Sequence, residues 1–302
     1  MLVKRADDKA RRIALLESLQ ESPLLDGRQK AWAREELVRV KRGIQGERDA
    51  AHYLDNYFAD GRYHAVIHDL RLVDGDDTAQ IDHLVINRMF EFFLFETKNF
   101  SGNLRINELG EFSVKYSGER EFGIPSPLEQ SRRHERVLLK ALDKLGITGR
   151  VNTRPTFHHI VLVHPTATIS RPPAKAFDTG MVIKADQFRA WHERYLEKTP
   201  GIASALTGIL NVRSSETVES WGESLARQHK PTELLELPDF MAPKVVKRQP
   251  VTNTPPPAKS ERKLICATCG SKISFAEGKY CWNNEAKFSG QQYCREHQAA
   301  FK

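Results

Sequence analysis

The 302 residues suffice for a sizeable core plus an appendage, and their formal net charge is +7. No run approaches the ~20 apolar residues of a membrane span, and the charged, helix-patterned N-terminus lacks the apolar stretch of a signal peptide, so a soluble, cytoplasmic protein is expected. The four cysteines all fall after residue 265, which argues against a disulfide framework and for a metal site.

In chain order, residues 5–40 carry two amphipathic helical stretches, R-R-I-A-L-L-E-S-L and A-W-A-R-E-E-L-V-R-V, separated by S-P-L-L-D-G. They read as helices leading into the core, or equally as a contact with a protein partner or a second copy of the chain. A further helix, E-R-D-A-A-H-Y-L-D-N-Y-F, is predicted to start near Glu47. Strands follow near 64–72, 79–87, 91–98, 103–107 and 111–116, punctuated by turns at Asp74-Gly75, Ser101-Gly102 and Leu109-Gly110. Ser126-Pro127 opens a helix to about Leu145, with proline in its first turn as expected. A buried strand near Phe157–His164 precedes helices at 186–197, 201–211 and 215–228. This order predicts an α/β fold, a mixed central β-sheet flanked by helices. The predicted boundaries are an N-terminal helical segment at 1–40, the main domain at 41–237, a Pro-rich linker at 238–262 and a small module at 263–302.

The most informative segment is Q-I-D-H-L-V-I-N-R-M-F-E-F-F-L-F-E-T-K-N, residues 80–99. It sets Asp82, Glu96 and Lys98 inside apolar strand-like runs, where a charge is costly unless it is paired or binds a metal. If Asn87 and Glu91 close a hairpin around Arg88, Met89 and Phe90, then Ile86 pairs with Phe92, Leu84 with Leu94 and Asp82 with Glu96. Facing side chains in such a ladder have Cβ atoms roughly 4.5–5.5 Å apart. Two carboxylates that close call for a cation between them, and hard oxygen ligands suit Mg²⁺ or Mn²⁺. Lys98 lies two residues along the same face. The plain alternative is that Asp82 and Glu96 cap an exposed sheet end and pair with Lys98 or Arg105.

The D-x(13)-E-x-K arrangement resembles the PD-(D/E)xK phosphodiesterases, the restriction-endonuclease-like superfamily, and more narrowly the nuclease-related domain family, NERD. Four pieces carry the resemblance: Gly43-Ile-Gln-Gly46-Glu47, Ile81-Asp82-His83, Glu96-Thr97-Lys98 and Gln130, over roughly residues 40–165. The resemblance implies a mixed sheet with flanking helices and a metal-dependent nuclease acting on DNA, or on both DNA and RNA. Asp82 and Glu96 would hold the ion against the scissile phosphate, and Lys98 would position or help deprotonate the attacking water. Glu47 would reach the same ion or a second one; its other reading is a solvated acid favoured by the helix dipole. Gln130 would contact a phosphate or the water, and His134, one turn on, the same; an ordinary helix-surface amide and imidazole are the alternative. His83, on the opposite face with Val85, reads as a packed or hydrogen-bonded core histidine. His158 and His159 are assigned no role.

Residues 241–302 carry eleven Lys and Arg against four Asp and Glu, so this tail holds the whole net charge and residues 1–240 are neutral. The tail is therefore the better candidate for attraction to a phosphate backbone. Within it, Cys266-x2-Cys269 and Cys294-x2-His297 form two knuckles spaced like a four-ligand Zn²⁺ site. Cys281 reads as a small buried hydrophobe, or as a replacement for His297. Four protein ligands imply a structural zinc, which a module this small needs in order to fold. The module resembles the small zinc domains of topoisomerases. Trp282, Phe288 and Tyr293 would form its core or stack on bases. A non-catalytic nucleic-acid- or protein-binding adaptor on a nuclease-like scaffold is the rival to the nuclease.

Overall fold

The computed structural model describes residues 1–58, 61–100, 102–116, 118, 120–150, 153–198, 212–233, 235–242 and 264–301. The chain divides into two compact units, residues 1–244 and 245–302. Among the described residues, no helix is long and apolar enough to cross a membrane.

The first unit is built on a six-stranded mixed sheet in the order β1-β2-β3-β4-β8-β10. Its strands are β1 (Leu2–Lys4), β2 (His64–Asp74), β3 (Asp77–Asn87), β4 (Glu91–Lys98), β8 (Thr156–Val163) and β10 (Val182–Lys184). The apolar runs read from the sequence become the central strands β2, β3 and β4, whose alternating residues feed opposite cores. On one face Leu84, Ile86, Phe92 and Leu94 pack with Leu138 and Leu142 of α3 (Pro127–Lys144) and with Trp221 and Leu225 of a later helix, Ser215–Arg227. On the other, Val85, Phe93 and Phe95 meet Ala50 and Leu54 of α2 (Gly27–Phe58) and Phe188 of α4 (Phe188–Lys198). A smaller sheet, in the order β7-β6-β5-β9, covers a third cluster around Leu104, Phe112 and Val114. It joins β5 (Asn103–Ile106), β6 (Phe112–Lys115), β7 (Phe122–Ile124) and β9 (Thr168–Ser170).

The β3–β4 hairpin has the predicted register: Ile86 faces Phe92 and Leu84 faces Leu94. Asn87 explains the turn. Its side-chain oxygen accepts from the N–H groups of Met89 and Glu91, and its amide donates to the Glu91 carboxylate. Phe90 takes the left-handed conformation this closure requires, at φ 63°, with its ring buried in the core.

Several elements differ from expectation. Gly43-Ile-Gln-Gly46-Glu47 does not start a helix; it lies inside α2, a single helix of 32 residues that also contains the second N-terminal stretch and passes through residue 40 without a break. One helix, α1 (Ala10–Glu21), precedes it and packs against it. The short strands β1, β7, β9 and β10 have too few residues for a periodicity signal. The predicted helix at 201–211 and most of the linker, residues 243–262, lie outside the described residues.

Candidate active site

The β3–β4 ladder ends at His83–Phe95, one residue short of the expected Asp82–Glu96 pair. Beyond it β3 continues along β2 while β4 continues along β8, so the two central strands part. Asp82 stands in that fork, where its Oδ2 accepts the Thr97 N–H at 2.7 Å, a hydrogen bond that a continued ladder would have given to the backbone. Separation is what mutual repulsion of two facing carboxylates favours. The fork opens at the C-terminal end of the parallel β4–β8 pair, the end at which α/β sheets commonly hold ligands.

Glu96 is buried, with its Oε1 accepting from Lys98 Nζ at 2.7 Å. The same ammonium donates to Gln130 Oε1 at 3.2 Å. His134, one helical turn beyond Gln130, brings Nδ1 to 3.9 Å from Glu96 Oε2, and burial holds its imidazole neutral at about 4. Helix α3 is fixed in this rotation by His159 of β8. Its Nδ1 meets the buried Ser131 Oγ at 2.8 Å and its Nε2 meets Glu135 Oε2 at 2.9 Å. These three form a Ser–His–acid line, but the serine is enclosed, so the group serves as a clamp rather than a nucleophile. His159 had no assigned role in the sequence, and the clamp depends on a contact between α3 and β8 that no local spacing reveals.

On the other side of the fork, Gly46 lets α2 approach the chain just past Lys98: a Cβ there would lie 2.6 Å from Asn99 Cβ. Asn99 in turn donates to Arg42 O at 2.6 Å. This contact brings Glu47 to the site, where Lys9 Nζ donates to its Oε2 at 2.8 Å. Lys9 is also 3.6 Å from Asp69 Oδ2. Asp69 occupies the β2 position across from Asp82 in the register that runs from His64–Asn87 to Asp74–Asp77. It adopts φ 55°, which turns its carboxylate out of the regular alternation toward Gln80 and the N–H of Asp7. Asp69 and Lys9 were not singled out in the sequence. The criterion that found Asp82, a charge inside an apolar strand, applies equally to Asp69 in V-I-H-D-L.

Carboxylates gathered in this way alter one another. Desolvation first, then the charges of Glu96 and Glu47, push the Asp82 carboxyl well above its ordinary value, despite the Thr97 N–H and Lys98. Burial likewise raises Glu96, with Lys98 opposing and Glu47 adding to the rise. A cation among these groups would relieve this repulsion, and Mg²⁺ is commonly held by one or two carboxylates together with waters. Behind the site His83 is a hydrogen-bonded core histidine. Its Nδ1 meets His68 Nδ1 at 2.8 Å and its Nε2 meets Thr97 Oγ1 at 3.2 Å, while His68 Nε2 reaches Asp55 at 2.9 Å.

Residues 42–164 match the family model of the nuclease-related domain, NERD. Over that stretch the chain is similar to a nuclease-related domain. The matched segment contains Glu47, Asp69, Asp82, Glu96, Lys98 and Gln130, whereas Lys9 lies outside it. No curated protein and no solved structure matches the chain.

In the second unit the ligand atoms of Cys266, Cys269, Cys294 and His297 lie within 4.8 Å of one another, and among the described residues they are the one group of three or more His, Cys, Asp or Glu so gathered. His297 Nδ1 is 3.0 Å from Cys294 Sγ and 3.5 Å from Cys266 Sγ, and Cys269 Sγ is 4.0 Å from Cys294 Sγ. A tetrahedral zinc with Zn–S of about 2.3 Å and Zn–N of about 2.0 Å needs edges of this size. Burial raises the Cys266 thiol, but N–H groups of Cys269, Cys294 and Thr268 outweigh it and draw the group to about 6. Cys281 is elsewhere, buried in a helix over Phe275–Asn283 and accepting from Tyr293 N at 3.3 Å. Phe288 is the centre of the module's small apolar core, flanked by Tyr280, Tyr293 and Phe301. Trp282 instead pairs with the exposed Phe275.

Proposed function

We propose that this protein is a divalent-metal-dependent phosphodiesterase that hydrolyses DNA, with RNA as a second substrate to be tested. The observation that supports the proposal is the fork between β3 and β4, where Asp82 accepts the Thr97 N–H, Lys98 bridges Glu96 and Gln130, and the charges of Glu96 and Lys98 act on Asp82. Asp82 and Glu96 are the residues that would hold Mg²⁺ or Mn²⁺. Such an ion, when bound, supplies charge neutralisation at the phosphate and a polarised water. Lys98 supplies a fixed positive charge next to the oxygens on which charge develops during displacement. Gln130 anchors that ammonium and offers an amide to a phosphate oxygen or the water. The clamp of the buried Ser131 with His159 and Glu135 keeps α3 at the angle that presents Gln130 and His134. The Cys266, Cys269, Cys294 and His297 group would hold a structural zinc, since all four positions are filled by protein.

The test is incubation of closed-circular DNA, linear DNA and RNA with the purified protein in Mg²⁺, Mn²⁺ or EDTA. Nicking of closed circles identifies an endonuclease, whereas loss of linear ends alone identifies an exonuclease. A second reading, nucleic-acid binding without hydrolysis, is favoured by the charge distribution, because residues 1–240 are neutral and the tail carries +7. Under that reading DNA is bound, no condition cuts it, and deletion of residues 241–302 removes the binding.

A further inference from the structure

The acidic side of the site already contains a cation. Residue Lys9 is delivered there by a segment outside the matched domain, and its position is fixed from several directions. Its carbonyl accepts from the N–H groups of Arg12 and Ile13 at the start of α1. Just before it, Asp7 N donates to Asp69 Oδ2, and Lys4 Nζ donates to the carbonyls of His68 and Asp69. From there the Lys9 ammonium bridges Glu47 at 2.8 Å and Asp69 at 3.6 Å, with about a quarter of the side chain exposed.

We propose that Lys9 occupies the place of a second metal ion, so that the site takes up one divalent cation, at Asp82 and Glu96, with Glu47 held as the partner of Lys9 rather than as a ligand. This rests on the metal-dependent reading of the fork given above. Charge supports it: Glu47, Asp69, Asp82 and Glu96 against Lys9 and Lys98 leave a formal −2, which one divalent cation neutralises. Geometry supports it as well. Lys9 holds Glu47 and Asp69 on one side and Lys98 holds Glu96 on the other, and the four carboxylates form no three-donor cage comparable to the Cys₃His group. Nor is the ion pair sealed off. Lys9 and Glu47 border one groove with Arg5, Arg48 and His52 and another with Arg12, Arg39 and Gln80. Solvent ions can therefore reach the carboxylates once Lys9 is removed.

The assignment makes Lys9 a positioning residue whose loss changes how many ions bind. The experiment titrates the full-length, zinc-loaded protein with Mn²⁺ and counts bound ions from the paramagnetic resonance of free Mn²⁺. One ion is expected in the wild type and in Lys9→Arg, and two in Lys9→Gln. Two ions in the wild type, or one in a folded Lys9→Gln variant, overturn the assignment while leaving the nuclease reading intact. No ion in either protein overturns the nuclease reading itself. Should Lys9→Gln fail to fold, Glu47→Gln decides. A change in Mn²⁺ affinity of less than about threefold supports the assignment, and a loss of tenfold or more overturns it by making Glu47 a ligand.

Discussion

Gly46 and Asn99 are in contact so close that a Cβ on the glycine would lie 2.6 Å from the asparagine Cβ. That contact joins the middle of α2 to the chain one residue past Lys98 and so places Glu47 beside the strands that carry Asp82 and Glu96. Gly43, one turn earlier, meets nothing nearer than Glu47 Oε1 at 4.0 Å. The two glycines therefore respond in opposite ways to the same change. Gly43→Ala gains the helix preference for alanine, about 0.5–1 kcal/mol. Gly46→Ala gains the same but must displace a hydrogen-bonded neighbour, an overpacking that costs typically 1–3 kcal/mol. Thermal melts should show the first variant more stable than the wild type and the second less, with the second also losing cleavage.

Asp82 sets a pH dependence of stability. The folded chain favours its protonated form, so its contribution is present in full below the ordinary value of 3.8 and is lost as pH rises through the raised folded value. In the absence of divalent ions, Asp82→Asn removes that loss. The variant should be more stable than the wild type at about pH 8 by about 1 kcal/mol, a common size for stabilising substitutions. This corresponds to a melting shift of about 2–4 °C for a unit of this size. The gap should narrow toward acid, and Mg²⁺ should raise the melting temperature of the wild type but not of the variant.

How much of this was legible in the sequence differs from residue to residue. The hairpin register followed from Asn87 and Glu91 and the apolar alternation, because a one-residue slip would have exchanged every buried side chain. Asp82, Glu96 and Lys98 stood out because charges inside apolar strands need an explanation. Lys9, Asp69 and His159 did not, since each acts through a contact between elements distant in sequence. The end of the ladder was also hidden: the parting of β3 from β4 depends on their pairing with β2 and β8, which hairpin spacing does not report. Nor does the sequence report the contact with Asn99 that explains Gly46 in mid-helix, so a helix start near Glu47 is the local reading.

The clamp on α3 gives a third prediction. Ser131→Ala leaves the half-buried His159 Nδ1 without its partner, which costs about 1 kcal/mol, the lower end for an unsatisfied group. Because Gln130 is the next residue back, cleavage should fall through kcat more than through KM, as steady-state kinetics on a short duplex would reveal.

Removal of the zinc proposed for Cys266, Cys269, Cys294 and His297 should act on the C-terminal module alone. Folding of a module of this size without its metal is unfavourable, and zinc contributes about 10–16 kcal/mol of apparent binding energy in comparable peptides. Chelation, or Cys266→Ser, should abolish the dispersed amide resonances of residues 264–301 while those of residues 1–198 stay in place. Because thiolates must form before zinc is held, affinity should weaken as pH falls through the Cys266 value of about 6.

The central claim is that the fork between β3 and β4 hydrolyses phosphodiester bonds. Its most direct test is single-turnover cleavage of duplex DNA in Mg²⁺ by the wild type, Asp82→Ala and Lys98→Ala, with DNA affinity measured in parallel in Ca²⁺. The account predicts metal-dependent cleavage by the wild type and a rate loss of about 10²–10⁴-fold in each variant, the range for removing a group that acts in the transition state. Affinity for DNA should be largely retained in both. Full activity in either variant, or wild-type cleavage that persists in EDTA, would contradict it.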